Sequence, residues 1–321
     1  FSEMKLNPNG ENVDAGVAAY HAGRHDGVIA FGGGSGLDVA KAVALMVGQN
    51  RPIWDFEDVG DNWTRVDTTN VAPVIAVPTT AGTGSEVGRA SIITDEVNHV
   101  KKIIFHPSML PEIVILDPLL TVGLPAHITA ATGMDALSHN LEALCSPHYH
   151  PMAEGIAIEG IRLVKEYLPR AVADGADIEA RMQMLVASTM GAAAFQKGLG
   201  GMHALAHPLG ALYDAHHGLL NAILMPYVLK VNRDAIEQRL TRVASYIGLV
   251  TPGFDTFLQW VLDIRADLGI PHDLSSIGIK EDDMETIGKM AWEDPSAGGN
   301  PITLTPEQYT SICRDALNGN I

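Results

Sequence analysis

The chain has 321 residues, of which 46% are hydrophobic and 18% are charged, a composition that indicates a folded globular protein and excludes a disordered one. Its formal net charge of −17, without any cluster of Lys and Arg, excludes a nucleic-acid partner, because phosphate backbones are bound by clustered cations. No apolar run approaches the roughly eighteen residues needed to span a bilayer, so no membrane association is expected.

The chain contains only two cysteines, Cys145 and Cys313, which are far apart in sequence. This excludes a disulfide framework and a thiolate-rich metal site, and it suits a reducing compartment, so we predict a cytoplasmic location. A chain of this length can form two domains, because single hydrophobic cores rarely grow beyond roughly 250 to 300 residues.

The first third of the chain alternates between strand-like and helix-like segments. A glycine-rich turn precedes a helical pattern over 36–48, and a polar turn separates two runs that could pair as a hairpin. The predicted strands cover 26–31, 72–80, 89–95, 100–105 and 112–118. Strands that alternate with helices indicate βαβ units and a mostly parallel sheet.

Beyond about residue 119, strand-like runs almost vanish and helical spacing dominates. The predicted helices cover 127–145, 151–173, 177–198, 202–213, 218–248, 254–268 and 281–292. The predicted fold class is therefore α/β plus all-α. We expect an α/β domain at 1–118, with a mostly parallel sheet, and a helical domain at 119–321.

Four histidines lie within the fifteen residues HALAHPLGALYDAHH. His203 and His207 are four residues apart, so they share one face of a helix, and Pro208 is expected to end or kink that helix. His216 and His217 are predicted on the loop that starts the next helix. Core histidines held by hydrogen bonds are the alternative to metal ligands.

Upstream, Asp135 and His139 are again four residues apart, in the otherwise apolar segment TGMDALSHNLEAL. A buried aspartate needs a cationic partner, and a divalent metal can supply one. Asp with two or three His and no Cys suits Fe²⁺, Zn²⁺, Mn²⁺ or Co²⁺. The alternative is two buried helices whose polar groups satisfy each other.

Two polar, glycine-rich loops follow predicted strands. FGGGSGLDVAKA (31–42) combines permissive glycines with a helix N-terminus, which suits pyrophosphate, although a plain strand-to-helix turn is the alternative. PTTAGTGSEV (78–87) follows the next strand, and ligands of open α/β sheets bind beyond the carboxyl ends of strands. For Asp38 and Lys41, two interpretations are open: a role in this site, or simply an acid near the start of the helix and a solvated lysine.

These stretches together form a recognisable pattern. The chain resembles the iron-containing (group III) alcohol dehydrogenases through GGGSGLDVAKA, PTTAGTGSEV, ILDP, GMDALSHNLEA and HALAHPLGALYDAHHGLLNAILMP, which occur in this order. The resemblance implies a nucleotide-binding α/β domain, a helical metal-binding domain, and an active site in the cleft between them.

The resemblance also implies roles for individual residues. It places the metal ligands at Asp135, His139, His203 and His217, and it places His207 beside the metal, near the substrate and the nicotinamide. His216 receives no role. Fe²⁺ is the expected metal, with Zn²⁺ as the alternative.

For the coenzyme, NAD or NADP, the resemblance implies a site built from both glycine-rich loops and one lysine. Pyrophosphate is expected at the first loop, the second loop should face the coenzyme, and the lysine should approach the nicotinamide ribose. The implied residues are Gly33, Gly34, Ser35, Asp38, Thr79, Thr80, Ser85 and Lys101.

The expected activity is a metal-dependent, NAD(P)-linked dehydrogenation of a small alcohol, or the reduction of its aldehyde, with His207 as a proton relay. Zinc-dependent lyase chemistry on the same fold and a non-catalytic, truncated metal-binding remnant are the alternatives. Family members usually have a further βαβ unit before the segment ENVDAGVAAYHAGRHDG, so we expect an incomplete N-terminal domain. A homodimer or a larger homo-oligomer is expected.

Overall fold

The computed structural model describes residues 1–98 and 100–321. Its strands are β1 (Val28–Gly32), β2 (Val74–Pro78), β3 (Ala90–Asp95), β4 (Val100–Phe105) and β5 (Ile113–Val114). Its helices are α1 (Gly10–Gly23), α2 (Gly34–Met46), α3 (Ala126–Cys145), α4 (Pro151–Ala173), α5 (Ile178–Ala194), α6 (Gly201–Tyr213), α7 (His217–Val231), α8 (Arg233–Tyr246), α9 (Phe254–Asp267), α10 (Met284–Glu293) and α11 (Pro306–Asn318).

Three strands form a parallel sheet in the order β1-β2-β5, in which Val28 pairs with Val74 and Ile75 with Ile113. β3 and β4 form the expected antiparallel hairpin. The strand predicted over 112–118 is reduced to β5. The Ile115 N–H still donates to the Ala76 carbonyl oxygen of β2 at 2.9 Å, and a 3-10 turn capped by the Asp117 side chain begins at Pro118.

Helix α2 covers one face of the parallel sheet. Ala30 of β1 packs there with Leu37 and Ala44 of α2, whereas Ile29 and Phe31 point to the other face and remain exposed. The alternation follows from the two-residue side-chain period of a strand. The first turn of α2 consequently lies just beyond the carboxyl end of β1.

Helix α3 is the centre of the helical part of the chain. Every residue from 129 to 145 except Thr132 is buried, because α3 packs against α4, α5 and α7. Among the described residues, no strand follows β5, which confirms the α/β plus all-α fold class. None of the described helices combines the length and the apolar character needed to cross a membrane.

One prediction about the helices is wrong. The expected single run over 218–248 is broken at Asn232, whose side chain exchanges two hydrogen bonds of 2.9 Å with that of Asn300. This buried amide pair fixes the change of direction between α7 and α8. The helix predicted over 202–213 is confirmed as α6, and of the two effects expected at Pro208, an end or a kink, the helix does not end there but continues to Tyr213.

Candidate metal and coenzyme site

Three helices bring together one carboxylate and three imidazoles. Asp135 and His139 lie one turn apart on α3, His203 lies in the first turn of α6, and His217 is the first residue of α7. One ligand atom from each residue lies within 4.8 Å of the others. The spacing of four residues on α3 places both of its side chains on the face that meets α6 and α7.

Close packing at Gly218 sets the position of His217. A Cβ atom at Gly218 would lie 2.4 Å from the Ala131 carbonyl oxygen and 3.0 Å from the Asp135 Cβ, so only glycine lets α7 begin this close to α3. His216 caps α7, since its Nδ1 accepts a hydrogen bond from the Leu219 N–H at 3.3 Å. The neighbouring histidines therefore act differently, and His216 lies outside the four-residue cluster.

Hydrogen bonds behind the cluster orient two of the imidazoles. His203 Nδ1 lies 2.7 Å from Glu142 Oε2, and His139 Nδ1 lies 3.1 Å from the Gly82 carbonyl oxygen. Both partners accept, so each Nδ1 carries the proton and each Nε2 presents its lone pair. Burial raises the pKa of Glu142 to about 7, although backbone N–H groups that bond to the carboxylate act to lower it.

The acceptors at the centre of the cluster outnumber the donors. The Asn221 Nδ2 atom lies 2.9 Å from Asp135 Oδ1, 3.2 Å from His203 Nε2 and 3.1 Å from His217 Nε2, but its two hydrogens can serve only two of these acceptors. Asn221 Oδ1 is also buried without a hydrogen-bond partner in the described part of the chain. A divalent cation fits this set of three nitrogens and one oxygen, and it compensates the buried carboxylate.

The protonation states suit a metal site. Burial acts to raise the pKa of Asp135, but the attraction of His139, His217 and His203 and the Asn221 hydrogen bond outweigh it and lower this pKa to about 2. Burial, the largest cause, lowers the pKa values of His203 and His217 well below the ordinary value. At neutral pH Asp135 is therefore a carboxylate and the imidazoles of His203 and His217 are unprotonated, the forms that bind metals.

His207 lies beside the cluster and is not one of its four members. Its ring stacks on His217 with centroids 5.5 Å apart and lies 6.0 Å from the His203 ring. Its Nδ1 is 2.8 Å from Asp294 Oδ2, and among the described residues no hydrogen-bond partner is found for its Nε2. This arrangement suits proton transfer, because a carboxylate holds the imidazole in one tautomer.

A cleft with a cavity volume of about 280 Å³ connects this cluster with the first glycine-rich loop. Its wall includes Gly34, Ser35 and Asp38 at one end and His139, His203, His207 and His217 at the other. Three of the clustered histidines and the N-terminus of α2 therefore open into the same cavity.

The N-terminus of α2 has the features of a phosphate site. Gly33 is its N-cap and provides no side-chain cap, so N–H groups of the first turn are available to an anion. A Cβ atom at Gly34 would lie 2.6 Å from Thr83 Cγ2, so glycine permits close approach of the second loop. The Ser35 hydroxyl donates to the Leu6 carbonyl oxygen.

The second loop is held by Asp38. Its Oδ1 accepts a 2.5 Å hydrogen bond from the Ser85 hydroxyl, and its Oδ2 accepts from the Ile92 N–H at 3.0 Å. Asp38, Thr83 and Ser85 line the cleft, whereas Thr79 and Thr80 are not among its lining residues. The structure therefore brings Ser85 of the second loop to the cavity, but it does not bring Thr79 or Thr80 there.

The interpretation of Lys41 as a solvated lysine is wrong. Lys41 is 1% exposed, and its ammonium donates to the carbonyl oxygens of Ser85 at 3.0 Å and of Ala90, and lies 3.4 Å from Asp38 Oδ1. Burial lowers its pKa, although Asp38 opposes the shift. The lysine therefore anchors the second loop on α2.

Of the two adjacent lysines on β4, Lys101 faces the cleft. Its Nζ donates to Asn7 Oδ1 at 2.9 Å, and burial lowers its pKa. Lys102 points to the opposite side, where it pairs with Glu57 at 3.2 Å and Asp95 at 3.3 Å. The two-residue period of the strand explains the difference.

Sequence reasoning missed several residues that support the site, namely Asn7, Thr83, Glu142, Asn221 and Asp294. A signal was available for Glu142, because positions 135, 139 and 142 form a polar stripe along an otherwise apolar helix. Asp294 had no local signal. It is 87 residues from His207 in sequence, and only the tertiary structure brings them together.

Comparisons with known proteins show which family the chain belongs to. The family model for iron-containing alcohol dehydrogenase matches residues 1–118, and the model for the C-terminal domain of the Fe-containing alcohol dehydrogenase family matches residues 129–317. The chain is 38% identical to 4-hydroxybutyrate dehydrogenase of Cupriavidus necator, with 99% of this chain and 84% of that protein covered. It is 36% identical to NAD-dependent methanol dehydrogenase of Bacillus methanolicus, with the same coverage.

Among solved structures, a 1,3-propanediol oxidoreductase superposes with a TM-score of 0.93 at 35% identity, covering 99% of this chain and 84% of that one. The chain belongs to the iron-containing alcohol dehydrogenase family. The prediction of a metal-dependent alcohol dehydrogenase is thereby confirmed, and neither lyase chemistry nor a non-catalytic remnant is favoured.

Proposed function

We propose that the protein oxidises a small primary alcohol to its aldehyde, or catalyses the reverse reduction, with Fe²⁺ held by Asp135, His139, His203 and His217. The observation that carries this proposal is the convergence of one carboxylate and three imidazole atoms within 4.8 Å, in the wall of the cleft. Zn²⁺ is the second candidate metal, because the same donor set suits both ions.

The first turn of α2, at Gly33, Gly34 and Ser35, would bind the coenzyme pyrophosphate. Asp38 and Ser85 would hold the second loop against the coenzyme, and Lys101 would lie near its nicotinamide half. Thr79 and Thr80 would belong to the coenzyme-binding loop, with the Thr80 side chain beside Gly33. The name of the methanol dehydrogenase relative supports NAD over NADP.

A metal held by Asp135, His139, His203 and His217 would supply Lewis-acid activation of the substrate hydroxyl, and a coenzyme at the first turn of α2 would supply the hydride-transfer chemistry. His207 Nε2 would receive the hydroxyl proton. Asp294, bonded to His207 Nδ1, would stabilise the resulting imidazolium. The walls of the cleft would exclude bulk water from the reacting atoms.

The substitution His203→Ala tests the metal assignment. It removes one of four ligand atoms and leaves the buried Glu142 carboxylate without its imidazole partner, so we expect loss of bound metal and of alcohol oxidation. The control is His148→Ala, which changes an exposed histidine. Metal content by elemental analysis and NADH formation are measured on both variants, and full metal and full activity in His203→Ala would refute the assignment.

We propose the division into domains at 1–118 and 119–321, supported by the end of the last strand at Val114. The two buried, unpaired cysteines, Cys145 and Cys313, support a reducing compartment, for which we propose the cytoplasm. A homodimer or larger homo-oligomer is proposed on the family resemblance alone.

A further inference from the structure

A single carboxylate joins the metal cluster to the start of α6. Glu142 is 5% exposed and accepts three hydrogen bonds: from the Gly200 N–H at 2.8 Å, from the Met202 N–H at 2.6 Å and from His203 Nδ1 at 2.7 Å. Its Oε2 atom serves both Gly200 and His203. The carboxylate therefore contacts an imidazole and the backbone next to it at the same time.

The backbone contacts have their own function. Gly200 is the N-cap of α6 and has no side chain to cap it, and Met202 lies in the first turn. The first N–H groups of a helix lack intrahelical partners, and a negative charge there is favourable. Glu142 supplies that charge from α3, across 58 residues of sequence.

The imidazole contact controls the direction of His203. Because the carboxylate accepts the Nδ1 proton, the Nε2 lone pair of His203 must face Asp135 and His217. Partners of this kind typically change metal affinity or activity by about 10- to 100-fold, because they fix the tautomer and raise the basicity of the ligand. Gly200 follows the turn at Phe195–Lys197, which reaches the cleft through Phe195.

We propose that Glu142 is a positioning residue that couples metal binding at His203 to the order of the α6 N-terminus and of the adjoining cleft wall. A metal that fixes the His203 ring also fixes the carboxylate, and the carboxylate fixes the two backbone N–H groups. This inference rests on the proposed metal site, and it assigns the positioning of His203 to a residue outside the four ligands.

The substitution Glu142→Gln is the sharpest perturbation. Glutamine keeps the shape but has one acceptor oxygen, so in either orientation its NH₂ group opposes at least one of the three N–H donors. We expect the dissociation constant for Zn²⁺, measured by competition with a chromophoric chelator, to rise about 10- to 100-fold. Glu166→Gln, an exposed change on α4, is the matched control and should bind Zn²⁺ like the unmodified chain.

Hydrogen exchange supplies the readout that a merely structural role would not affect. In the unmodified full chain, Zn²⁺ should slow exchange of the Gly200 and Met202 amides by about 10-fold or more. In Glu142→Gln this metal-dependent protection should be much reduced. Glu142→Asp, which keeps the charge on a shorter side chain, should be intermediate in Zn²⁺ affinity.

The outcomes are distinct. Unchanged Zn²⁺ affinity in a folded Glu142→Gln would overturn the inference and leave the metal site standing. Equal amide exchange with and without Zn²⁺ in the unmodified chain would also overturn it, and this result does not depend on any variant folding. Failure of the unmodified chain to bind Zn²⁺ would overturn the proposed metal site and the inference together.

Discussion

The contact between α3 and α7 at Gly218 allows a quantitative prediction about metal binding and stability. Alanine at this position would place its Cβ 2.4 Å from the Ala131 carbonyl oxygen and 3.0 Å from the Asp135 Cβ. Restoring van der Waals contact requires a local retreat of about 1 Å. Metal–ligand distances tolerate only about ±0.2 Å, so a shift of this size at His217 should disrupt the cluster.

Two opposing effects decide whether Gly218→Ala stabilises or destabilises the folded protein. Replacing glycine by alanine in a helix favours folding by up to about 1 kcal/mol. Overpacking costs about 1–3 kcal/mol, and here one contacting atom belongs to the backbone of a buried helix, which cannot rotate away. We therefore expect Gly218→Ala to lower the melting temperature and to weaken Zn²⁺ binding by at least about 10-fold.

Gly155→Ala in α4 is the matched control, because a Cβ atom there would meet nothing within 4 Å. It should retain full Zn²⁺ affinity and should not lower the melting temperature. Thermal unfolding and chelator competition on both variants provide the assay. If Gly218→Ala has the same Zn²⁺ affinity and melting temperature as the unmodified chain, then α7 can move without disturbing the cluster, and the packing argument is wrong.

Two further substitutions test the supporting residues. Lys41→Met leaves buried loop carbonyls without a donor, so it should lower the free energy of unfolding, measured by denaturant titration, by about 2–4 kcal/mol. The control Lys230→Met, at an exposed position, should lower it by less than about 0.5 kcal/mol. Equal effects of the two substitutions would contradict the anchoring role of Lys41. Asp294→Asn removes the carboxylate that contacts His207 Nδ1, so it should lower kcat about 10- to 100-fold and leave the metal content unchanged. An unaltered kcat would show that Asp294 does not assist the proton transfer.

The sequence by itself predicted the strands β1 to β5, helix α2 and the run of helices from α3 to α10, but it predicted neither α1 nor α11. The spacing of four residues between Asp135 and His139 indicated one helix face, and that face is buried in α3. The glycine-rich loops were correctly located after β1 and β2. These features are local, because helix and strand periods convert sequence spacing directly into shared faces.

The tertiary structure alone decided how distant side chains serve one another. Lys41 has no local signal for burial, and it is enclosed because the second loop folds over α2. His203 and His207 look equivalent in sequence, but Glu142 and Asp294 give their rings different partners. Such pairings depend on the packing of whole helices, and nothing in the spacing of neighbouring residues encodes which remote carboxylate each imidazole will meet.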